Sequence, residues 1–404
     1  MTTFSDPPKA SFRPSMLLSD TRYRSITFQV IALVLLVTAI WYLGSNLAAN
    51  LRAAGLNISF QFLGNPAGYD INQTLIPYTS QSSNLQAAWV GIINTLLVSF
   101  LACVTATIFG VIAGVLRLSN NWLVRKLMAG YVEIFRNIPV LIWILIIYTI
   151  MTAAMPAPSA FRGDDPASTM MLGSFAFTNR GVYIPGPVWG PGSTIVVATF
   201  IASIIGVFAY RRYATKLLYD TGRLLPMLWP SIAILLLPTI IVFFVLGMPI
   251  GLDYPALAGF NFKGGIQIGA PLIALWFALS IYTGAFIAEN VRAGIQAVSR
   301  GQSEAAAALG LRPGRIMNLV VLPQALRVII PPLISNYLNI TKNSSLAILV
   351  GYADITATLG GITLNQTGRA IECVVLLMLF YLVISLGISM VMNVYNNATK
   401  LKER

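Results

Sequence analysis

The sequence predicts an all-α integral membrane protein of about eight transmembrane helices with both termini cytoplasmic, and three observations carry that expectation. Only 10% of the 404 residues are charged while 56% are hydrophobic, whereas a soluble domain needs about a quarter charged residues. Charge-free apolar runs long enough to cross a bilayer, which takes about 20 residues per helix, recur along the chain. The basic residues fall in short clusters that favour one side when those runs are threaded back and forth.

The runs cover 26–51, 89–116, 137–155, 193–210, 224–246, 269–288 and 373–395. An eighth, 322–341, is interrupted by Arg327 and the pair Pro331-Pro332, but the topology does not close without it. With the N-terminus inside, the cytoplasmic side receives 20 of the 26 Lys and Arg residues, among them Arg117, Arg125, Arg211, Arg292 and Arg315. The outer side keeps Arg52, Arg162, Arg180, Lys263, Lys342 and Arg369. The net charge of +13 is therefore topological. No basic patch interleaved with stacking aromatics occurs, so nucleic acid is not an expected partner.

Other chemistry is excluded by composition. Histidine is absent, and the two cysteines, Cys103 and Cys373, lie inside apolar runs, where a thiol acts as a small hydrophobe. Acid–base work by histidine, Cys/His metal sites and a disulfide framework are not expected. The first run follows 25 polar residues and exceeds a signal-peptide core, so it should be retained. Residues 155–192, rich in Pro and Gly, read as an external loop.

The most informative stretch is SRGQSEAAAALGLRPGRIMNLVVLP, 299–323, in a cytoplasmic loop spanning 290–323. Ser299 and Gln302 have capping-box spacing. Glu304 is expected in the first turn, where a carboxylate complements the helix dipole. Residues 305–309, including Ala305 and Ala306, are strong helix formers, and Gly310 fits the left-handed position that ends a helix. Arg312-Pro313-Gly314 should turn the chain into a second helix over 316–322, with Pro323 at its end. A short capped helix at the membrane surface suits the groove of a soluble partner. An ordinary loop helix satisfies the same local physics.

This stretch resembles the EAA loop of ATP-binding-cassette importer permeases. Glu304-Ala305-Ala306, Gly310, Val320 and Leu322-Pro323 stand at that loop's spacing. The polar amino-acid branch of the family is resembled at Gly91-x-x-x-Thr95-Leu96-x-x-Ser99, at 133–139 (EIFRNIP) and at 285–294 (AFIAENVRAG). The same holds for 322–327 (LPQALR), 331–333 (PPL) and 342–346 (KNSSL). Length and detail are similar to the larger Q-type permeases of general L-amino-acid transporters of Gram-negative bacteria.

The resemblance implies a type I importer permease in the bacterial inner membrane, and it divides the chain. A cytoplasmic tail covers 1–25, and an added first helix with a periplasmic segment covers 26–88. A permease core in two parts covers 89–155 and 269–395, with inserted loops and a helix pair over 156–268 and a second tail over 396–404. Glu304, Ala305, Ala306, Gly310, Leu322 and Pro323 would couple the permease to ATPase subunits. The implied partners are an ATPase dimer, a second and related permease subunit, a periplasmic amino-acid-binding protein and membrane lipid. No GxxxxGK[ST] loop occurs, so ATP and Mg are expected on the ATPase partner; the resemblance implies a non-catalytic subunit with no cofactor of its own.

Within the membrane, Asn336, Asn339 and Asn343 share one helical face, extended by Thr341, Ser344 and Ser345. Amides in hydrocarbon must face protein or a watered cavity, and a carrier's broken helices supply such a cavity. The face is read as substrate pathway, with interhelical hydrogen bonding as the alternative. It carries no carboxylate, which argues against a carrier for cationic amino acids alone. Gly110-x-x-x-Gly114 reads as helix packing, Glu372 as an interfacial anchor, and Glu133 with Arg136 as a local pair or a partner contact.

Overall fold

The computed structural model describes residues 21–399 apart from 54, 56, 57, 164, 165 and 224. Lys9, Arg13, Lys400, Lys402 and Arg404, and Leu224 at the head of the fifth run, lie outside the described residues. The chain forms two compact units, 1–61 and 62–404. The first is carried by α1, Thr21–Ala53, whose 33 residues reach about 50 Å at 1.5 Å per residue.

The second unit is built on α2 (Asn84–Leu116) and α7 (Ala270–Gln296). Small residues let these two apolar helices approach closely. A Cβ placed on Gly114 would stand 2.7 Å from the Ala288 carbonyl, and one on Gly110 would stand 2.9 Å from the Gly284 carbonyl. The packing reading of the two glycines therefore holds. Hydroxyls satisfy each other across the seam: Thr105 Oγ1 and Ser280 Oγ are 2.5 Å apart, and Trp276 Nε1 donates to Thr105 Oγ1 at 3.1 Å. Val98, Ala102, Ala106, Leu275, Leu279 and Ile287 fill the core around them.

The run 137–155 is helical from Val140 to Ala154, and a sharp bend falls at its head. α3 (Trp122–Asn137) meets α4 (Val140–Thr149, continued by a π turn to Ala154) at 104°. Pro139 explains the break, because the residue before a proline is driven out of the α region, and Ile138 is extended at φ −105°, ψ 132°. Among the described residues seven helices are long and apolar enough to span, and eight if this bent pair is one. Arg125, Lys126 and Arg136 thus lie on a helix rather than in a loop. Arg136 sits over the Phe286 ring, 5.2 Å from its centroid, and makes no ion pair with Glu133. Glu133 instead accepts from Asn137 Nδ2 at 3.4 Å.

The inserted pair is α5 (Ser193–Thr221) and α6 (Leu228–Val245), an antiparallel hairpin packed chiefly on itself. α5 runs 11 residues beyond the apolar run, so Arg211, Arg212 and Lys216 are helical. The helical membrane architecture is as expected, and short strands are added to it at the other end of the hairpin. There β1 (Ala176–Thr178), β2 (Gly181–Ile184) and β7 (Ile266–Gly269) form an antiparallel sheet in the order β1-β2-β7. β3 (Gly186–Trp189) pairs β4 (Ile250–Asp253), and β5 (Ala256–Ala258) pairs β6 (Asn261–Lys263). These strands are three or four residues long and separated by Gly and Pro, so they carry too little periodicity to register. Chain that leaves the membrane still has to pair its backbone groups. α7 starts directly after β7, so its other end lies about 40 Å from the sheets.

The remaining elements are α8 (Arg300–Ala308), α9 (Leu322–Asn343) and α10 (Ala370–Thr399). Between α9 and α10 the chain forms a 3-10 segment (Ser344–Val350) and a π segment (Thr356–Thr363). Cys373 is buried and Cys103 half-buried, both as free thiols in apolar clusters. Glu372, in the first turn of α10, is buried and pairs with Arg369 at 3.3 Å.

Candidate coupling and translocation site

α8 lies at the end of α7 remote from the sheets. Its C-terminus closes as expected: Gly310 has φ +79°, its N–H bonds the Ala307 carbonyl at 2.9 Å, and Leu311 N–H bonds the Ala306 carbonyl at 3.3 Å. That pair of bonds satisfies two of the orphan carbonyls at the helix end and requires the left-handed residue there. Its N-terminus departs from expectation. Ser299 is the N-cap but its hydroxyl accepts no capping bond, so the Ser299–Gln302 box does not form. Glu304 is the fifth helical residue, beyond the first turn where the helix dipole acts.

Ala306 is buried against the protein, whereas Glu304, Ala305 and Leu309 face outward, Leu309 at 83% exposure. The second helix does not stop at Pro323. It begins at Pro313–Ile316, passes through a π turn over Met317–Val321 and runs on as α9. Pro323 directly follows the π turn, an irregularity of the kind that accommodates a proline in a continuous helix, and Leu322 and Pro323 are exposed. Pro331 and Pro332 lie inside α9 without ending it, leaving the Arg327 and Val328 carbonyls short of their intrahelical donors.

α9 therefore carries the asparagine face on a rod continuous with the turn beside α8. Asn336 is 8% exposed, with an Nδ2 that finds no acceptor among the described residues. Asn343 is half-buried and Asn339 exposed. Buried Ser344 donates to the Thr341 carbonyl at 2.7 Å, so its hydroxyl is spent locally. Tyr337 Oη meets Thr107 Oγ1 of α2 at 2.7 Å and ties the rod to the core. At the α8 end, Glu289 of α7 takes ion pairs from both Arg117 and Arg292.

At the sheet end, side chains of α2 hold the chain that follows α9. Asn94 Nδ2 donates to the Gln73 and Ala353 carbonyls at 3.0 and 2.9 Å, and Tyr352 Oη donates to the Asn94 carbonyl at 3.0 Å. Beside this latch is a cavity of about 400 Å³, lined by Asn72, Gln73, Arg180, Asn261, Gln267 and Tyr352. It holds one cation among amides and no carboxylate. Arg180 donates to the Phe260 carbonyl at 3.2 Å. The polar pair Asn94-Thr95 inside an apolar run was a readable signal for the latch. Nothing local singles out Arg180, which the insert folds into place.

Spans bent or carried through prolines and π turns, intramembrane amides and no nucleotide-binding loop are the build of a transport permease. Residues 195–400 match the family described as "binding-protein-dependent transport system inner membrane component", and the chain belongs to that family as a multi-pass bacterial inner-membrane protein. It is 51% identical, over the whole of both chains, to the glutamate/glutamine/aspartate/asparagine transport system permease protein BztB of Rhodobacter capsulatus. It is 43% identical to the general L-amino acid transport system permease protein AapQ of Rhizobium johnstonii, covering 98% of this chain and 96% of that one. The putative amino-acid ABC transporter permease protein YhdX of Escherichia coli is 42% identical, over 98% and 99%.

Proposed function

We propose that this chain is the permease subunit of an ATP-driven importer for L-amino acids, with the acidic amino acids and their amides as its first substrates. The observation that carries this reading is the 51% identity to BztB along the entire chain. The chemistry agrees with it: Arg180 among amides in the 400 Å³ cavity suits a carboxylate, and the asparagine face offers donors and acceptors without repelling an anion. Substrate passes along the face of Asn336, Asn339 and Asn343, with Ser344 beside it. Residues 89–155 and 269–395 form the permease core, and the pieces around them are additions.

The α8 end faces the cytoplasm, as the basic clusters favour. There Glu304, Ala305 and Leu309 contact an ATPase subunit, and Ala306, Gly310, Leu322 and Pro323 hold the contact rigid. Closure of two ATPase subunits on ATP and Mg pushes α8, and α9 carries the displacement inward. A second, related permease subunit completes the pathway, and a periplasmic binding protein delivers the amino acid. The test is uptake of labelled glutamate, glutamine, aspartate and asparagine by cells with and without this chain, alongside identification of co-purifying subunits. Loss of uptake and a co-purifying ATPase are expected. Unchanged uptake of all four, with no ATPase bound, overturns the reading.

A further inference from the structure

We propose that the inserted hairpin holds one anionic phospholipid of the cytoplasmic leaflet, its acyl chain lying between α5 and α6 and its phosphate on Arg211. The proposal does not depend on which amino acid is carried. Between the two helices runs a groove of about 270 Å³, lined by Ile204, Val207, Phe208, Ile232 and Leu235, with Arg211 at its mouth. The groove is apolar throughout its depth apart from Ser231, whose hydroxyl is taken up by the Met227 carbonyl. A small soluble anion would meet Arg211 and leave the apolar depth empty, whereas an acyl chain fills it.

Depth decides which charge belongs to the groove. From Ser193 to Arg211 α5 rises about 27 Å, close to the roughly 30 Å of the hydrocarbon core. α6, 18 residues long, rises about the same distance. Arg211 and the start of α6 therefore stand together at headgroup level. Trp229, 74% exposed there, suits the interfacial aromatic belt. Tyr210 Oη bonds the Pro226 carbonyl at 2.8 Å and fastens the same level.

Charge complementarity identifies the occupant. Arg211, Arg212, Lys216 and Arg223 crowd this end against the single acid Asp220, and among the described residues none of the four basic groups is in an ion pair. Basic pockets between helices on the cytoplasmic side suit anionic headgroups. Phe208, 67% exposed on the groove, would lie along the acyl chain. A zwitterionic lipid would fill the groove but bring no net negative charge to this basic end.

The test places benzoylphenylalanine at Phe208 in the full complex, reconstituted with phosphatidylglycerol and phosphatidylcholine of identical acyl chains. Irradiation should give a phospholipid adduct enriched in phosphatidylglycerol. Arg211→Gln should lower that adduct about five-fold, the worth of one basic residue at an anionic surface, while Arg211→Lys retains most of it. Val207→Trp, which fills the groove and leaves Arg211 in place, should abolish the adduct. Adducts to a protein subunit only, no adduct, or equal capture of both lipids overturns the proposal. If Arg211→Gln impairs assembly, the wild-type lipid preference and Val207→Trp still decide.

Discussion

Thr95, in an apolar helix of the core, accepts the backbone N–H of Ile355 on its Oγ1 at 3.1 Å, while the same hydroxyl donates to the Gly91 carbonyl at 2.8 Å. One side chain thereby fixes the segment following α9 to α2 at a fully buried point. Gly91 lies so close to Thr358 and to the Asp354 carbonyl, which a Cβ there would meet at 2.9 Å, that no larger residue fits.

Thr95→Val keeps the shape and removes the acceptor, leaving the Ile355 N–H buried and unpaired. A loss of about 1–3 kcal/mol is expected, read as a lower thermal midpoint of the purified complex. Thr95→Ser, which restores the hydroxyl, should recover much of it. Equal stability of the Val variant and the wild type would show that the Thr95 bond does not hold this segment to α2.

Asp354, in the same segment, is buried, and burial pushes its carboxyl up to about 6, opposed by the Ala357 N–H it accepts at 2.8 Å. The folded pKa thus exceeds the unfolded value near 3.9, so the folded state binds the extra proton between these limits. This contribution is fully present below about pH 4 and is lost as pH rises through about 6. The stability difference between wild type and Asp354→Asn should therefore favour wild type more at pH 5 than at pH 8. A difference that is independent of pH would remove Asp354 as the titrating group.

Orientation is open to direct labelling. In a background with Cys103 and Cys373 replaced by alanine, a cysteine at Ser168 should react with an impermeant reagent from outside. One at Gly222, in the turn between α5 and α6, should react only from inside. The reverse pattern would turn the importer upside down.

The asparagine face gives a separate prediction. Because Asn336 Nδ2 has no acceptor among the described residues, Asn336→Leu discards an unanswered polar group and should leave the complex assembled. It should nevertheless lower or reshape amino-acid uptake, as should Asn343→Leu. Normal uptake of every substrate in both variants would reassign the face to packing.

Much of this was legible in the sequence because membrane helices announce themselves. A run without charge has few alternatives in hydrocarbon, and Gly310 shows its left-handed turn through the residues around it. The break at Ile138-Pro139 was equally written, yet an apolar run conceals a bend, since hydropathy counts residues and not directions. The capping box failed because spacing permits the Ser299 bond without requiring it, and a helix end exposed to water loses little by leaving it unmade. Pro323 misled because a π turn just ahead of it lets the helix pass through the proline. The cavity beside Arg180 depended on strands of three or four residues, below the length at which alternation carries information.

The central claim is that α8 transmits the ATPase stroke into α9, and Gly310→Val tests it most directly. No side chain stands within 4 Å of the new Cβ, so the substitution acts through the backbone alone. Valine at φ +79° costs about 1–3 kcal/mol of local strain, enough to misaim α8 and too little to unfold the membrane core. The measurement is substrate-stimulated ATP hydrolysis by the reconstituted complex, with subunit stoichiometry and uptake followed alongside; Glu304→Lys, on the outward face of α8, serves as the companion variant. The account predicts an intact complex in which stimulation and uptake are both lost. Wild-type stimulation and uptake in both variants would contradict it.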